Sequence, residues 1–556
     1  MPVPLGGLTC SKSEKTIQTD LFKQRNSHRM WWWLPDLALV LSIVTLLYCL
    51  FLFDGLQNLF RNSDTGWHIR TGEAILAGLQ GGTASSMATA KKQPSRSAVG
   101  NPLEALPRID PYSFTRAGAP WIDWEWGADV LSASAYRWAG LGGVAILFAL
   151  AIASATWLWV RLNWVMGGSF LIACAMASPM LSTSNLHWLA RPHIFGWLLL
   201  LGTVWMAEAA PARFRPRHAL AIFLGSALWA NLHASFLLAP LIALLYAMSH
   251  LLRPLVWNLD RPTEWRRARW FVSAALVSLA GTFLNPYGWS LHLHVIRYLN
   301  DSELLARVGE FQSFNFHVAG TFQILLTLGL AAAGGVLALA QRNLADFLMT
   351  VLFLAMALRS ARSLPLAALV LLPIANGAIT SALRHVSGLA TGLDRLRIAF
   401  LEYSDRLRIL DKRLSGAALV PFVAAFALLI ARVPAVASHA GFPPDQFPVA
   451  AASAIDKLPV DARILAPDKF GGYLICRFDG RRKVFFDGRS DFYGADFMRQ
   501  YIRLIEVRPG WRDQLTKFHF TYALLPNDYS LIPALEQLGW RELYKDNVAT
   551  LLKEPS

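Results

Sequence analysis

The sequence predicts a mainly α protein: a polytopic bundle of about eleven transmembrane helices followed by a small α/β domain outside the membrane. Three observations predict it. Hydrophobic residues make up 54% of the 556 and charged residues only 16%, with a mean hydropathy of +0.37, too apolar for an ordinary soluble domain and incompatible with a disordered chain. Apolar runs recur at helical lengths as far as Val433. Beyond Phe447 short β-type runs alternate with helical stretches.

The elements follow in order. Residues 1–30 are polar and predict a cytoplasmic tail. Trp31 opens an apolar run to Phe53. A cleavable secretory signal would start nearer Met1 and end in small residues, so this run reads as a retained first span. Further runs lie at Leu141 to Val160, Met166 to Ser182, Ile194 to Glu208, Ala219 to Asn231 and Phe236 to His250. The rest lie at Trp270 to Leu284, Thr321 to Ala340, Ala345 to Leu358, Leu364 to Ala382 and Leu414 to Val433. Several fall short of the roughly 20 residues a perpendicular helix needs. The transmembrane domain therefore covers 31–435, with a long first outer loop at 54–140. Within that loop 83–106, rich in Ser, Ala, Gly, Pro and Lys, reads as a flexible insertion.

The outer domain covers 447–556. Its expected strands are Ala462 to Ala466, Tyr473 to Phe478, Lys483 to Asp487, Tyr522 to Pro526 and Ala549 to Lys553, with helices at Asp496 to Glu506 and Leu531 to Leu538. The four cysteines, Cys10, Cys49, Cys174 and Cys476, are scattered and support neither a disulfide framework nor a Cys-based metal site.

The net charge of +15 sets the orientation. Lys12 to Arg29, Arg161, Arg213 to Arg217, Arg253 to Arg269, Arg342 and Arg384 to Arg413 share one side of the membrane if the N-terminus is cytoplasmic. That is the positive-inside pattern, so the C-terminal domain lies outside. The basic excess is then a topology signal, and no nucleic-acid partner is expected. The same topology places nearly every cluster of His, Asn and carboxylates on the outer face.

The densest cluster is the first loop, with Asn62-Ser-Asp64-Thr-Gly-Trp67-His68-Ile-Arg-Thr-Gly72-Glu73, then Asp110-Pro-Tyr-Ser-Phe-Thr, then Trp121-Ile-Asp-Trp-Glu125-Trp126. Carboxylates beside aromatic rings suit a sugar, whose apolar face stacks on a ring while acids bond its hydroxyls. Equally, the rings fit an interfacial belt and the acids fit helix caps. These segments, with Arg191-Pro-His193, Asn231-Leu-His233-Ala-Ser235, Leu284-Asn285-Pro-Tyr-Gly288, Glu310-Phe311, Arg359 to Arg362, Gly471-Gly472-Tyr473 and Val484-Phe-Phe-Asp487-Gly488-Arg489, resemble bacterial multi-span proteins of the GT-C glycosyltransferase superfamily.

The resemblance implies a GT-C-like fold in a bacterial cytoplasmic (inner) membrane. It also implies an enzyme that takes a sugar from a polyprenyl phosphate to a glycan, lipid or protein acceptor. Asp64 matches the base that removes the acceptor's proton. Asp110 and Glu125 are the second-rank carboxylates, binding hydroxyls or orienting Asp64. Trp67, His68, Arg191, His193, His233, Asn285 and Glu310 complete the expected substrate site. Arg359 and Arg362 break the outer face's poverty in positive charge and suit the phosphate, since a guanidinium fork matches its oxygens. Snorkelling to headgroups or pairing with acids is the plainer role for both.

His187, His193 and His233 sit at span ends, where packing or capping is commoner than metal ligation. His292-Leu-His294 has the spacing of two ligands on one strand face but lacks a third. Some GT-C enzymes use a divalent cation, so Mg or Mn shared by Asp64, Asp110 and Glu310 is left open. The Trp-Trp-Asp-Tyr-Gly motif of oligosaccharyltransferases and the Asp-Glu pair of protein mannosyltransferases are absent, which disfavours their acceptors. In the outer domain, Gly471-Gly472 suggests a close backbone approach, and Asp487-Gly-Arg-Ser-Asp491 a loop that either recognises the acceptor or docks on the membrane domain. Two rival classes stand beside the enzyme: a lipid or solute transporter or flippase, and a non-catalytic scaffold for envelope assembly.

Overall fold

The computed structural model describes residues 32–80 and 104–555. The polar tail at 1–30 and most of the insertion expected at 83–106 lie outside the described residues. Each of the eleven apolar runs falls on a helix. In chain order the helices of more than one turn as far as the C-terminal domain are α1 (Leu37–Phe51), α2 (Asp64–Leu79), α3 (Trp126–Val165), α4 (Phe170–Asn185), α5 (His193–Glu208), α6 (Pro216–Leu232) and α7 (Leu238–Trp257). They continue with α8 (Arg261–Thr282), α9 (Trp289–Asn300), α10 (Thr321–Ala340), α11 (Leu344–Arg359), α12 (Leu364–His385), α13 (Thr391–Arg413) and α14 (Leu419–Ile430).

Among the described residues four helices are long and apolar enough to cross a membrane unaided. They are α3, α7 with its preceding turn (Ala234–Trp257), α10, and α12 with its preceding turn (Ala361–His385). Helices α1, α5 and α14 are apolar but shorter.

The described residues between α1 and Gly140 are largely helical. Besides α2, the 40-residue α3 begins at Trp126, inside the expected loop, and breaks only at Ala139 and Gly140. Gly140 has φ 59°, a conformation that costs glycine little, so it re-aims the chain where the sequence ends the loop. Helix α2 packs on α3 through Gly72, where any Cβ would overlap the Asp129 carbonyl.

The C-terminal domain has a four-stranded sheet of β1 (Ile464–Leu465), β2 (Tyr522–Pro526), β3 (Arg541–Lys545) and β4 (Ala549–Lys553), ordered β1-β2-β4-β3. β1 and β2 are parallel and the other pairs antiparallel. Its helices include α15 (Asp468–Arg477), α16 (Ser490–Ile505), α17 (Trp511–Phe518) and α18 (Leu531–Glu536).

Two expected strands are not strands. Tyr473 to Phe478 is largely the second half of α15. The apolar run reads as β in isolation, but Gly471 and Gly472 let a helix press against neighbouring backbone: a Cβ on Gly472 would overlap the Ser63 carbonyl, and one on Gly66 the Gly472 carbonyl. Lys483 to Asp487 is mostly buried but joins no sheet; Val484 bridges to Ser113 of the first loop. Its ladder partner lies in the other domain, with Val484 N donating to Tyr112 O at 2.9 Å and Phe114 N to Val484 O at 3.1 Å. One hydrophobic core accordingly runs from the bundle into the domain without a break.

Candidate functional site

Helix α2 starts at Asp64, whose backbone N–H donates to the Asn62 carboxamide at 2.8 Å. Asp64, Trp67 and His68 sit at i, i+3 and i+4 and so share a face. The loop before α5 brings Arg191, and the turns after α9 and α11 bring Glu310 and Arg362. These groups surround one cavity of about 650 Å³, to which the C-terminal domain adds Asp468, Lys469 and Gly488 to Asp491.

The polar lining belongs to a continuous chain of ionisable groups. Arg191 pairs with Asp64 at 2.8 Å and with Glu310 at 2.6 Å. Glu310 also meets Arg362 at 3.5 Å, and the Arg362 guanidinium lies over the Phe311 ring. Arg362 approaches His233, which faces Glu125 at 3.4 Å. His233 Nδ1 accepts from the Ser235 backbone N–H, so Nε2 carries the proton and points it at Glu125 rather than accepting from Arg362. Glu125 in turn lies 3.7 Å from His68 Nε2, and His68 Nδ1 bonds Asp129 at 2.6 Å.

Burial and charge then separate three carboxylates. Burial raises Asp64 to about 6 even though Arg191 pulls it down. Burial raises Glu125 to about 8, although Arg362 and Arg191 pull it down. Glu310 is pushed up by burial too, but Arg191 and Arg362 together hold it at about 2. At neutral pH the site therefore offers an ionised Asp64, an ionised Glu310 and a protonated Glu125.

Part of the lining is apolar: Leu237, Leu238 and Leu241 of the α7 region, Val295 and Leu299 of α9 and Met356 of α11. Leu241 and Leu299 stay 37% and 52% exposed, so these leucines form an accessible surface and not a sealed core.

Of the residues expected at the site, Asp64, Glu125, Trp67, Arg191, His193, His233, Glu310 and Arg362 line this cavity. Four do not. Asp110 closes a turn, accepting from the backbone N–H of Tyr112 and Ser113, and pairs with Arg489 at 2.6 Å. His68 stands behind Trp67, their rings 3.6 Å apart. Asn285 caps its own turn by bonding Thr282 O, Gly288 O and Tyr287 N. Arg359 ends α11 and is exposed. The His292/His294 pair lies on α9, not a strand, so the two rings diverge: His292 bonds Thr282 and His294 pairs with Asp491.

A cation shared by Asp64, Asp110 and Glu310 does not fit. Guanidinium groups already bridge these carboxylates, Asp110 lies outside the cavity, and among the described residues no three His, Cys, Asp or Glu converge on a metal position. Asp468, Lys469, Arg489 and Trp124 line the cavity without having been expected there. The Asp487 to Asp491 loop and the Trp121 to Trp126 motif gave the sequence signals; of the two roles left open for the loop, the structure shows the docking, through the Arg489 pair with Asp110, and places the loop in the cavity lining. No protein-family model matches the chain, and no curated protein matches it in sequence. The functional reading therefore rests on the cavity.

Proposed function

We propose that the protein is a GT-C-type membrane glycosyltransferase. It moves a sugar from a polyprenyl-phosphate donor to an envelope glycan, lipid or protein acceptor at the outer face of the bacterial cytoplasmic membrane. In this proposal all eleven apolar helices are spans, the N-terminus is cytoplasmic and the C-terminal domain is outside. The supporting observation is the mixed lining of one cavity: an amphiphilic donor needs charged groups for its phosphate and apolar side chains for its isoprenoid, and both line the same space.

In the reaction the acceptor oxygen attacks the anomeric carbon while its proton passes to the Asp64 carboxylate. The bond from that carbon to the phosphate oxygen breaks, leaving its electron pair on polyprenyl phosphate, and the configuration inverts. Arg362 is the guanidinium placed to hold the departing phosphate, because its Glu310 contact is looser than that of Arg191. Protonated Glu125 donates to a substrate oxygen.

The test is Asp64→Asn in purified, reconstituted protein given a polyprenyl-phosphate sugar. Release of polyprenyl phosphate should fall about 100- to 10,000-fold, the range for loss of a general base. Transfer at the wild-type rate would remove Asp64 from the role. A transporter draws support from one place in the bundle, where Tyr246 donates to part-buried Glu208 and Asp346 lies buried nearby. Movement of labelled lipid across liposomes without a covalent product would favour it.

A further inference from the structure

Helix α13 (Thr391–Arg413) has two faces with different uses. One bonds the ends of four other helices. Arg397 donates to Leu383 O in the last turn of α12 at 2.8 Å, and Arg408 to Trp164 O in the last turn of α3, also at 2.8 Å. Ser404 Oγ accepts from Phe170 N, which opens α4, at 2.9 Å, and the Asp411 carboxylate from Leu37 N, which opens α1, at 2.7 Å. Positions 397, 404, 408 and 411 recur at helical spacing and form one stripe. Helix α13 therefore lies across one end of the bundle. The cavity is at the other: Arg362 and Ser363 line it where α12 begins, and the 22 residues of α12 span about 33 Å.

The second face is apolar and largely uncovered. Leu393, Leu396, Phe400, Tyr403, Leu407 and Leu410 alternate at spacings of three and four residues and so stand in line along the helix. Leu393, Leu396, Tyr403 and Leu410 are 52–69% exposed. Beside them runs a basic row, Arg395, Arg406 and Arg413, all exposed. Arg406 meets exposed Glu402 at 3.9 Å, and Arg395 and Arg413 have no ion pair among the described residues.

Position and charge together say what covers the stripe. Helix α13 joins two apolar helices, α12 and α14, so it sits at the level of the helix ends, where the headgroups of a bilayer begin. A neighbour there meets leucines with guanidiniums beside them, the pattern that acyl chains and anionic headgroups complement. A partner helix would instead need both flanks of the stripe. One flank, with Arg397, Ser404 and Asp411, is already bonded to the bundle.

We propose that α13 is an interfacial helix, its leucine stripe seated among acyl chains and its arginine row on the headgroups of an anionic phospholipid. This surface goes beyond the glycosyltransferase reading and needs only that the apolar helices span a membrane.

The experiment uses the full chain carrying Cys10→Ser and Cys174→Ser, with the buried Cys49 and Cys476 kept, in nanodiscs of phosphatidylcholine and phosphatidylglycerol. A bimane label is placed at Leu396→Cys in the stripe or at Glu402→Cys on the side turned from it; both positions are exposed on the protein itself. Doxyl-labelled acyl chains should quench the label at 396 several-fold more than the label at 402. Equal quenching at the two positions overturns the interfacial seat. So does disulfide cross-linking of unlabelled Leu396→Cys chains to one another, which would put a second copy on the stripe. The headgroup is read from the affinity of detergent-purified protein for a fluorescent phosphatidylglycerol. It should fall about fivefold for each of Arg395→Gln, Arg406→Gln and Arg413→Gln, with affinity for a fluorescent phosphatidylcholine unchanged. A triple variant that binds phosphatidylglycerol as the wild type does overturns the anionic lipid.

Discussion

Two arginines in this molecule sit between pairs of carboxylates, and they do different work. Arg191 joins Asp64 to Glu310 with side-chain exposures of 11%, 13% and 28%. Arg489 joins Asp110 to Asp487 with exposures of 1%, 0% and 0%. The first group opens onto a cavity, so its partners can be exchanged for a substrate's charges. The second is sealed, hemmed by the rings of Trp121, Phe492 and Tyr112, and ties the first loop to the C-terminal domain. An acidic residue near an aromatic motif is thus no guide to chemistry by itself. Water access to the pair decides whether it reacts or holds the fold.

The largest effect should come from breaking the sealed group. Arg489→Met leaves two buried carboxylates facing each other, a change worth about 3–5 kcal/mol, and should lower the thermal transition of the purified protein and free the domain from the first loop. Protease sensitivity between α14 and β1 would report the undocking. An unchanged transition would mean that the sealed group contributes little and that the contrast with Arg191 is one of exposure only.

In the open group, Arg362→Ala should weaken donor use about 10- to 100-fold, the value of a charge-assisted bond to phosphate, and mostly in KM. The thermal transition should move little, because Arg362 is only part-buried and Glu310 keeps Arg191. A fall in stability comparable to that of Arg489→Met would erase the distinction between the two groups.

Protonation should also separate them. A base must be ionised, and burial raises Asp64 to about 6, so transfer falls about tenfold per pH unit below 6 as the carboxylate takes a proton. An acid must be protonated, and Glu125 at about 8 loses its proton as pH rises through that value, giving a second, alkaline limb. Glu125→Gln, which stays neutral, should flatten the alkaline limb and spare the acid one. A profile flat from pH 5 to 9 would detach both carboxylates from the rate.

Much of the bundle was legible because burying an apolar run requires only composition and length, which is why every run from Leu37 to Ile430 became a helix. The errors came where a distant partner decides. Tyr473 to Phe478 carries β-type residues, and its helix depends on the glycine contact with Ser63 and Gly66. Lys483 to Asp487 has strand-like residues, but it forms no strand: Val484 hydrogen-bonds to Tyr112 and Phe114 and not to the domain's own sheet. At the site, Asp64 and Asp110 look alike in sequence. They differ in that Asp64 begins a helix beside Arg191, while Asp110 folds back on its own backbone and meets an arginine from the other domain.

The smallest expected effect is the most discriminating one. Arg359 and Arg362 are three residues apart on the turn between α11 and α12, and sequence gives no reason to separate them. The turn does: Ser360 is extended, its hydroxyl donates to Glu310 O at 2.9 Å, and the following 3-10 turn carries Arg362 onto Phe311 and Glu310 while Arg359 stays at the exposed end of α11. If the cavity binds the phosphate, Arg359→Ala should change donor KM by less than about twofold, as exposed charges usually do. If instead both arginines anchor headgroups at the outer surface, the two alanine variants should behave alike. Equal losses in the two variants would move the phosphate site out of the cavity and onto the turn.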